Sequence, residues 1–209
     1  MGRVKFSDVD NYGGSSYNNV NYFKLVNDKD VARVRFMLNH EEDLDDITFS
    51  VHRVQVTEKA YKSVNCLRAY NEPVDKCPFC ERYTNTTLKF FIPLYNLDTE
   101  EVEIWERGKT FAPKLSGYMS RYGNKTPLVN HIFEVERSGR AGDMQTTYEC
   151  FEVDSDNTEL KDLPEIPELL GDVVLDKTVD EMYAYIETGS FPPEDGEDDS
   201  VQRRGGSVS

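Results

Sequence analysis

Four side chains in the middle of the chain, His52, Cys66, Cys77 and Cys80, constrain its folding more than any other feature. The last two frame Cys77-Pro78-Phe79-Cys80, and a two-residue gap lets both thiolates of one tight knuckle reach a single metal ion. Ten residues separate Cys66 from the knuckle and thirteen separate His52 from Cys66. A loop returning to a strand then closes a tetrahedral Cys3His shell, the coordination that zinc prefers. Such a shell leaves no position for a reactive water, so one structural Zn2+ per chain is expected. It would also stabilise the fold, since structural zinc typically contributes about 10 to 16 kcal/mol of binding that the unfolded chain lacks.

Competing uses of these cysteines fit less well. Thioredoxin-like chemistry places its C-x-x-C beside a βαβ pattern, whereas the flanks here are polar and turn-like. A disulfide scaffold needs more than the 4 cysteines present, and residues 1–21 have no hydrophobic stretch of signal-peptide type, so a secreted, disulfide-bonded protein is not expected. Cys150, in Thr147-Tyr148-Glu149-Cys150-Phe151, is an alternative fourth ligand. His52 is preferred, because a thiol in a strand-like run commonly serves as a small apolar residue. His40 and His131 are read as ordinary structural residues.

Charge is distributed unevenly. The chain has a net charge of -15, and residues 154–209, with 16 acidic and 4 basic side chains, hold -12 of it. Between Trp105 and Arg140 the balance inverts, with 7 basic residues against 3 acidic ones. A basic stretch on the body and an acidic tail point to a polyanion-binding surface. Residues 192–209 have almost no apolar side chain to offset chain entropy and are expected to be a disordered acidic tail.

No apolar run approaches the roughly 20 residues that cross a bilayer, so a soluble, intracellular protein without membrane contacts is expected. Residues 1–21, rich in Gly, Ser, Asn and Tyr, read as a flexible arm carrying Arg3 and Lys5. The core is expected over 22–153, with a zinc subdomain at about 52–82 and an acidic segment with a short helix at 154–191. Alternation in Val31 to Leu38 predicts a strand with Arg33 and Arg35 on its outer face and Val34 and Phe36 inside. A second strand, Ile47 to Val56, contains His52. Hairpins are predicted at 88–95/102–105 and 131–135/146–151, and Pro93 argues that its strand lies at an edge or bends. One helix is expected from about Pro113 to Gly123. Thr178-Val179-Asp180-Glu181 has the form of a capping box for another that ends near Gly189. Five or six short strands with one internal helix predict a mainly β fold, an OB-type small barrel with an inserted zinc loop. An SH3-like barrel or a β-sandwich fits the strand count nearly as well.

With its gaps of 13, 10 and 2 residues, the order His52, Cys66, Cys77, Cys80 resembles the zinc subdomain of the single-stranded DNA-binding (helix-destabilising) proteins of T4-like phages. The resemblance extends to the layout of arm, core and acidic tail. It implies an OB-fold core and the four zinc ligands named. It implies cooperative coating of single strands in phage replication, recombination and repair, inside the host cytoplasm. It further implies self-association on DNA through an arm like that around Arg3 and Lys5, and a tail that contacts replication and recombination proteins. The arm departs from that pattern in lacking a dense basic cluster, and the tail in ending Arg203-Arg204-Gly205-Gly206-Ser207-Val208-Ser209.

Sequence-tolerant single-strand binding needs cations for phosphates and aromatic faces for bases. The candidates are Arg33, Arg35, Arg53, Lys59, Tyr61, Lys62, Arg68, Tyr70, Tyr83, Trp105, Arg107, Lys109, Phe111, Lys114 and Arg121. Phe79, Tyr95, Tyr118 and Tyr122 are further aromatics, the last two suited to a core face. No nucleophile–base pair, open metal position or carboxylate pair has recognisable spacing, so a binding protein is expected rather than an enzyme. The alternatives are a zinc-braced acidic adaptor or DNA mimic, which the basic stretch opposes, and a metal-dependent nucleic-acid enzyme.

Overall fold

The computed structural model describes residues 20–83, 85–140, 142–143, 146–155 and 163–193, the side chains of 154 and 155 excepted. The expected arm, with Arg3 and Lys5, and the expected tail lie outside these residues except for 20, 21, 192 and 193. Eight strands join in one branched sheet, more than the alternation predicts. They are β1 (Val31–Phe36), β2 (Thr48–Gln55), β3 (Tyr61–Asn65), β4 (Thr87–Asn96), β5 (Glu101–Gly108), β6 (His131–Ser138), β7 (Thr147–Ser155) and β8 (Val174–Leu175). Between them lie α1 (Asp43–Asp46), α2 (Pro78–Tyr83) and α3 (Ala112–Tyr118), and α4 (Val179–Thr188) follows β8. The strand order is β7-β6-β1-β4-β2-β3-β8, with β5 also on β4. Among the pairings between these eight strands, the one of β8 with β3 is parallel and the others are antiparallel.

Strand β4 organises the sheet, and Pro93 shows how. One edge of β4 pairs with β5 from Lys89 to Asn96. On the other edge its first half pairs with β2, and Leu94 to Asn96 pair with β1. Pro93 stands where β2 gives way to β1, and its carbonyl accepts from Met37 N–H at 3.0 Å. The Ile104 opposite it turns both its N–H and its C=O away, to Asn21 and Phe23, so β5 asks nothing of the missing proline N–H. The strand is therefore central, and the proline marks a change of partner.

In the largest core Val34, Phe36, Leu94, Trp105 and Phe133 meet Leu115 and Met119 from α3 and the wider turn that continues it, Met119–Gly123. Inward alternation of Ala32, Val34 and Phe36 follows the predicted pattern. Arg35 does not. It is 6 % exposed, because the Leu128–Asn130 turn roofs that face, and its Nη1 donates to the Val129 carbonyl at 3.1 Å. The acidic segment read as an appendage also enters the fold: β8 extends the sheet and α4 buries Met182 beside Cys77 and Phe79. The predicted capping box is formed, with Thr178 N–H donating to Glu181 Oε2 at 2.8 Å and Glu181 N–H to Thr178 Oγ1 at 3.3 Å. Gly189 ends α4 in the left-handed region, φ 80°. No helix among the described residues is long and apolar enough to cross a membrane.

Candidate metal centre and nucleic-acid interface

The hairpin of β2 and β3 brings His52 opposite Val64, and Cys66 N–H extends the ladder to the Ser50 carbonyl at 2.9 Å. A short turn at Val74–Lys76 delivers Cys77 in an extended conformation, and Pro78 then opens α2, which lifts Cys80 back toward Cys77. Glu81 N–H donates to the Cys77 carbonyl and closes the knuckle. The four ligand atoms lie within 4.8 Å of one another. His52 Nε2 is 3.4 Å from Cys77 Sγ and 3.6 Å from Cys80 Sγ, and the Sγ atoms of Cys66 and Cys80 are 3.5 Å apart. An ion of zinc's size with tetrahedral bonds requires ligand separations of about 3.6 to 3.8 Å, so the donor set fits one such ion.

The electrostatics favour the same conclusion. Burial holds His52 below its ordinary pKa and so keeps it neutral, and its Nδ1 lies 3.1 Å from the Asn85 carbonyl. A proton on Nδ1 donated to that carbonyl leaves the Nε2 lone pair facing the thiols, as in metal-binding histidines, whose other ring N–H is held by a carbonyl or carboxylate. Burial, then the hydrogen bond and charge of Cys66 and the charge of Cys77, push the Cys80 thiol up to about 12. Thiolates this close need a cation among them. All 4 cysteines are free of disulfides. Cys150 belongs elsewhere: it packs on the large core, where burial pushes its thiol up to about 11. The metal cluster thus takes His52, and its packing shell is Phe79, edge-on to His52 at 5.4 Å, and Met182 of α4, with Sδ 4.0 Å from Cys77 Sγ.

On the opposite face of β2 lies an open groove of about 360 Å³. It is lined by Arg53, Tyr61, Lys62 and Ser63 on the β2–β3 side, by Thr87 and Lys89 from β4, by Glu106 from β5, and by Tyr22 and Lys24. Arg53 covers the Tyr61 ring at 5.3 Å, and Lys89 pairs with Glu106 at 2.7 Å. Tyr22, Lys24 and Lys89 are absent from the sequence-derived candidates, because only the tertiary fold sets residues 22–24 beside β5.

The other candidates scatter. Lys59, Tyr83, Lys109 and Arg121 are exposed, Arg68 half-buried, and Tyr70 is 94 % exposed on the loop before the knuckle. Arg33 pairs with Asp98 at 3.5 Å, and Lys114 with Glu149 at 2.6 Å. Three candidates are corrected to structural residues: Arg35, already described, Trp105 at 1 % exposure and Phe111 at 8 %, whose rings meet at 5.0 Å inside the large core. Stacking on a base needs an open ring face, which neither has. Arg107 lies over Trp105 and Tyr148, at 4.6 and 4.1 Å from their ring centres, and its buried Nε has no partner.

A further polar constellation links Thr126 Oγ1 to His131 Nε2 at 2.7 Å and His131 Nδ1 to Glu152 Oε1 at 2.6 Å. The order is that of a hydroxyl–imidazole–carboxylate triad. The residue after Thr126 is Pro127, however, which has no N–H to hold an oxyanion, and His131 is buried. We read it as a clamp that ties the Leu128–Asn130 turn to β7. No protein-family model matches the chain, and no significant match was found among curated proteins or solved structures.

Proposed function

We propose that this protein binds single-stranded DNA, largely independently of sequence, along the groove over β2, β3, β4 and β5. The metal centre then holds one structural zinc, the ion that best suits three thiolates and one imidazole. The observation that carries the reading is the alternation of cations and aromatic faces in one open cleft, Lys24, Arg53 and Lys89 beside Tyr22 and Tyr61. Cations spaced along a groove neutralise phosphates, and aromatic rings stack on whichever base is presented.

The metal and the groove are coupled by β2. His52 and Val54 face the metal side, while Val51 and Arg53 face the groove. An ion that fixes the β2–β3 hairpin therefore also fixes Arg53 and Tyr61 in the cleft wall. With four protein ligands, the zinc has no position left for substrate and supplies rigidity alone. On this reading the bent sheet around the large core is an OB-type barrel. The protein coats strands during phage DNA replication, recombination and repair in the host cytoplasm, copies associate along the strand, and other replication and recombination proteins dock on the acidic C-terminal residues.

The test is a titration of labelled oligo-dT. Affinity should fall with salt at a log–log slope of about -0.7 per phosphate neutralised, and duplex of equal length should bind much more weakly. Arg53→Ala and Tyr61→Ala should each weaken binding about tenfold. Equal affinity for duplex and single strand, or indifference to both substitutions, would overturn the reading.

A further inference from the structure

The outer edge of β5 opens into a second cavity. The stretch Asn21–Phe23 pairs in parallel with β5: Ile104 N–H donates to the Asn21 carbonyl at 2.8 Å, and Phe23 N–H to the Ile104 carbonyl at 3.0 Å. Two residues on, Glu106 turns its N–H and C=O the same way, because peptide groups alternate sides along a strand. There the ladder stops, and no backbone hydrogen bond joins Glu106 to Phe23 or Leu25. Instead Arg137 Nη1 draws the Leu25 carbonyl away at 2.9 Å, and donates to the Tyr148 hydroxyl at 3.1 Å as well.

The space left is a slot of about 460 Å³ lined by Phe23, Leu25, Trp105, Arg107, Arg137 and Tyr148. It shares Tyr22, Lys24 and Glu106 with the groove, so the two cavities are neighbours on either side of those residues. Three features mark it as a site. Its floor offers an adjacent peptide donor and acceptor at Glu106. Arg107, over the rings of Trp105 and Tyr148, has a buried Nε–H without a partner. Its cations, Lys24, Arg107 and Arg137, outnumber the one carboxylate, Glu106, which Lys89 already neutralises.

Resting on the single-strand reading of the groove, we infer that this slot receives one nucleobase turned out of the bound strand, its polar edge on the Glu106 peptide and its phosphate on Lys24. All four bases present neighbouring donors and acceptors on one edge, so the pocket suits a sequence-tolerant binder. It would fix the register of the strand once per protein copy, where the stacking groove allows sliding.

The experiment uses the full-length protein and the shortest oligo-dT that binds fully, with a single abasic site walked along it. Trp105, the chain's one tryptophan, lines the slot and reports on it by fluorescence. At one position of the walk, loss of the base should weaken binding about tenfold and abolish the quenching of Trp105 seen with the intact strand. Arg107→Met should lower affinity for the intact strand by a similar factor and flatten the walk at that position, whereas Arg53→Ala should lower affinity and leave that step in place. A flat walk with unchanged Trp105 emission, while Arg53→Ala still weakens binding, would overturn the slot and leave the groove standing. Failure of the intact oligo-dT to bind would sink both. Where Arg107→Met lowers the melting temperature, the walk on the unaltered protein decides alone.

Discussion

At the scale of single residues, the structure separates side chains that look alike in the sequence. Trp105 and Tyr61 both sit in strands beside arginines, yet one is 1 % exposed and the other 53 %. Trp105→Ala should therefore cost about 3 to 5 kcal/mol of stability, the range for deleting a buried aromatic, while Tyr61→Ala should leave the melting temperature nearly unchanged and weaken oligonucleotide binding. Thermal melts beside binding titrations check the pair, and equal stability losses would contradict the burial. The cysteines divide the same way. Cys77→Ser or Cys80→Ser should abolish stoichiometric zinc by elemental analysis and lower thermal stability sharply, and Cys150→Ser should keep the metal. Retention of zinc in both knuckle variants would refute the ligand set.

At the scale of elements, α4 is the instructive case. Its capping box was legible because four consecutive residues carry the whole signal, and Thr178→Ala should cost about 1 kcal/mol. The same cap makes the helix sensitive to acid. Burial pushes the Glu181 carboxyl up, but the Thr178 backbone N–H and the Lys177 ammonium, 2.9 Å away, outweigh it and hold Glu181 below its ordinary 4.5. A carboxyl depressed in the folded state contributes stability that is present above its unfolded pKa and is lost as pH falls through the lower folded value. Protection factors in α4, exchange rates taken relative to those of an unstructured amide at the same pH, should accordingly decline below about pH 4.5, and Glu181→Gln should remove that dependence. An unchanged pH profile in the variant would assign the effect to another group. Nothing in the segment itself announced β8, since Val174 and Leu175 form a two-residue strand whose partner, β3, is more than a hundred residues away.

At the scale of the whole molecule, beside an apolar cluster of Val51, Phe91, Ile104, Val173 and Val174, the described residues form two others of unequal size. The larger is independent of the metal, whereas the smaller is built from the ligands themselves with Val54, Val64, Phe79, Leu175 and Met182. Chelation at neutral pH should thus release protection in β3, α2 and α4 in hydrogen exchange while β1, β4 and β6 stay protected, and added zinc should restore it. Oligonucleotide affinity should fall in parallel, because Arg53 and Tyr61 stand on the hairpin the metal fixes. Full protection of α4 in protein stripped of metal would show that packing alone holds the small body.

The sequence by itself determined what short-range chemistry encodes. The knuckle at 77–80, the two hairpins, the end of the α3 turn at Gly123 and the α4 cap all rest on spacing within a few residues or on one strand's alternation, while the choice of His52 over Cys150 as fourth ligand waited on the fold. Only the tertiary structure decided which faces meet water. A period of two says that Arg35 and Phe36 point oppositely, but not that the Leu128–Asn130 turn closes over the arginine. It says as little about the groove, whose Tyr22, Lys24, Arg53 and Lys89 come from separate strands and loops. Side-chain direction is a local property of the backbone; burial belongs to whatever long-range neighbour packs against it.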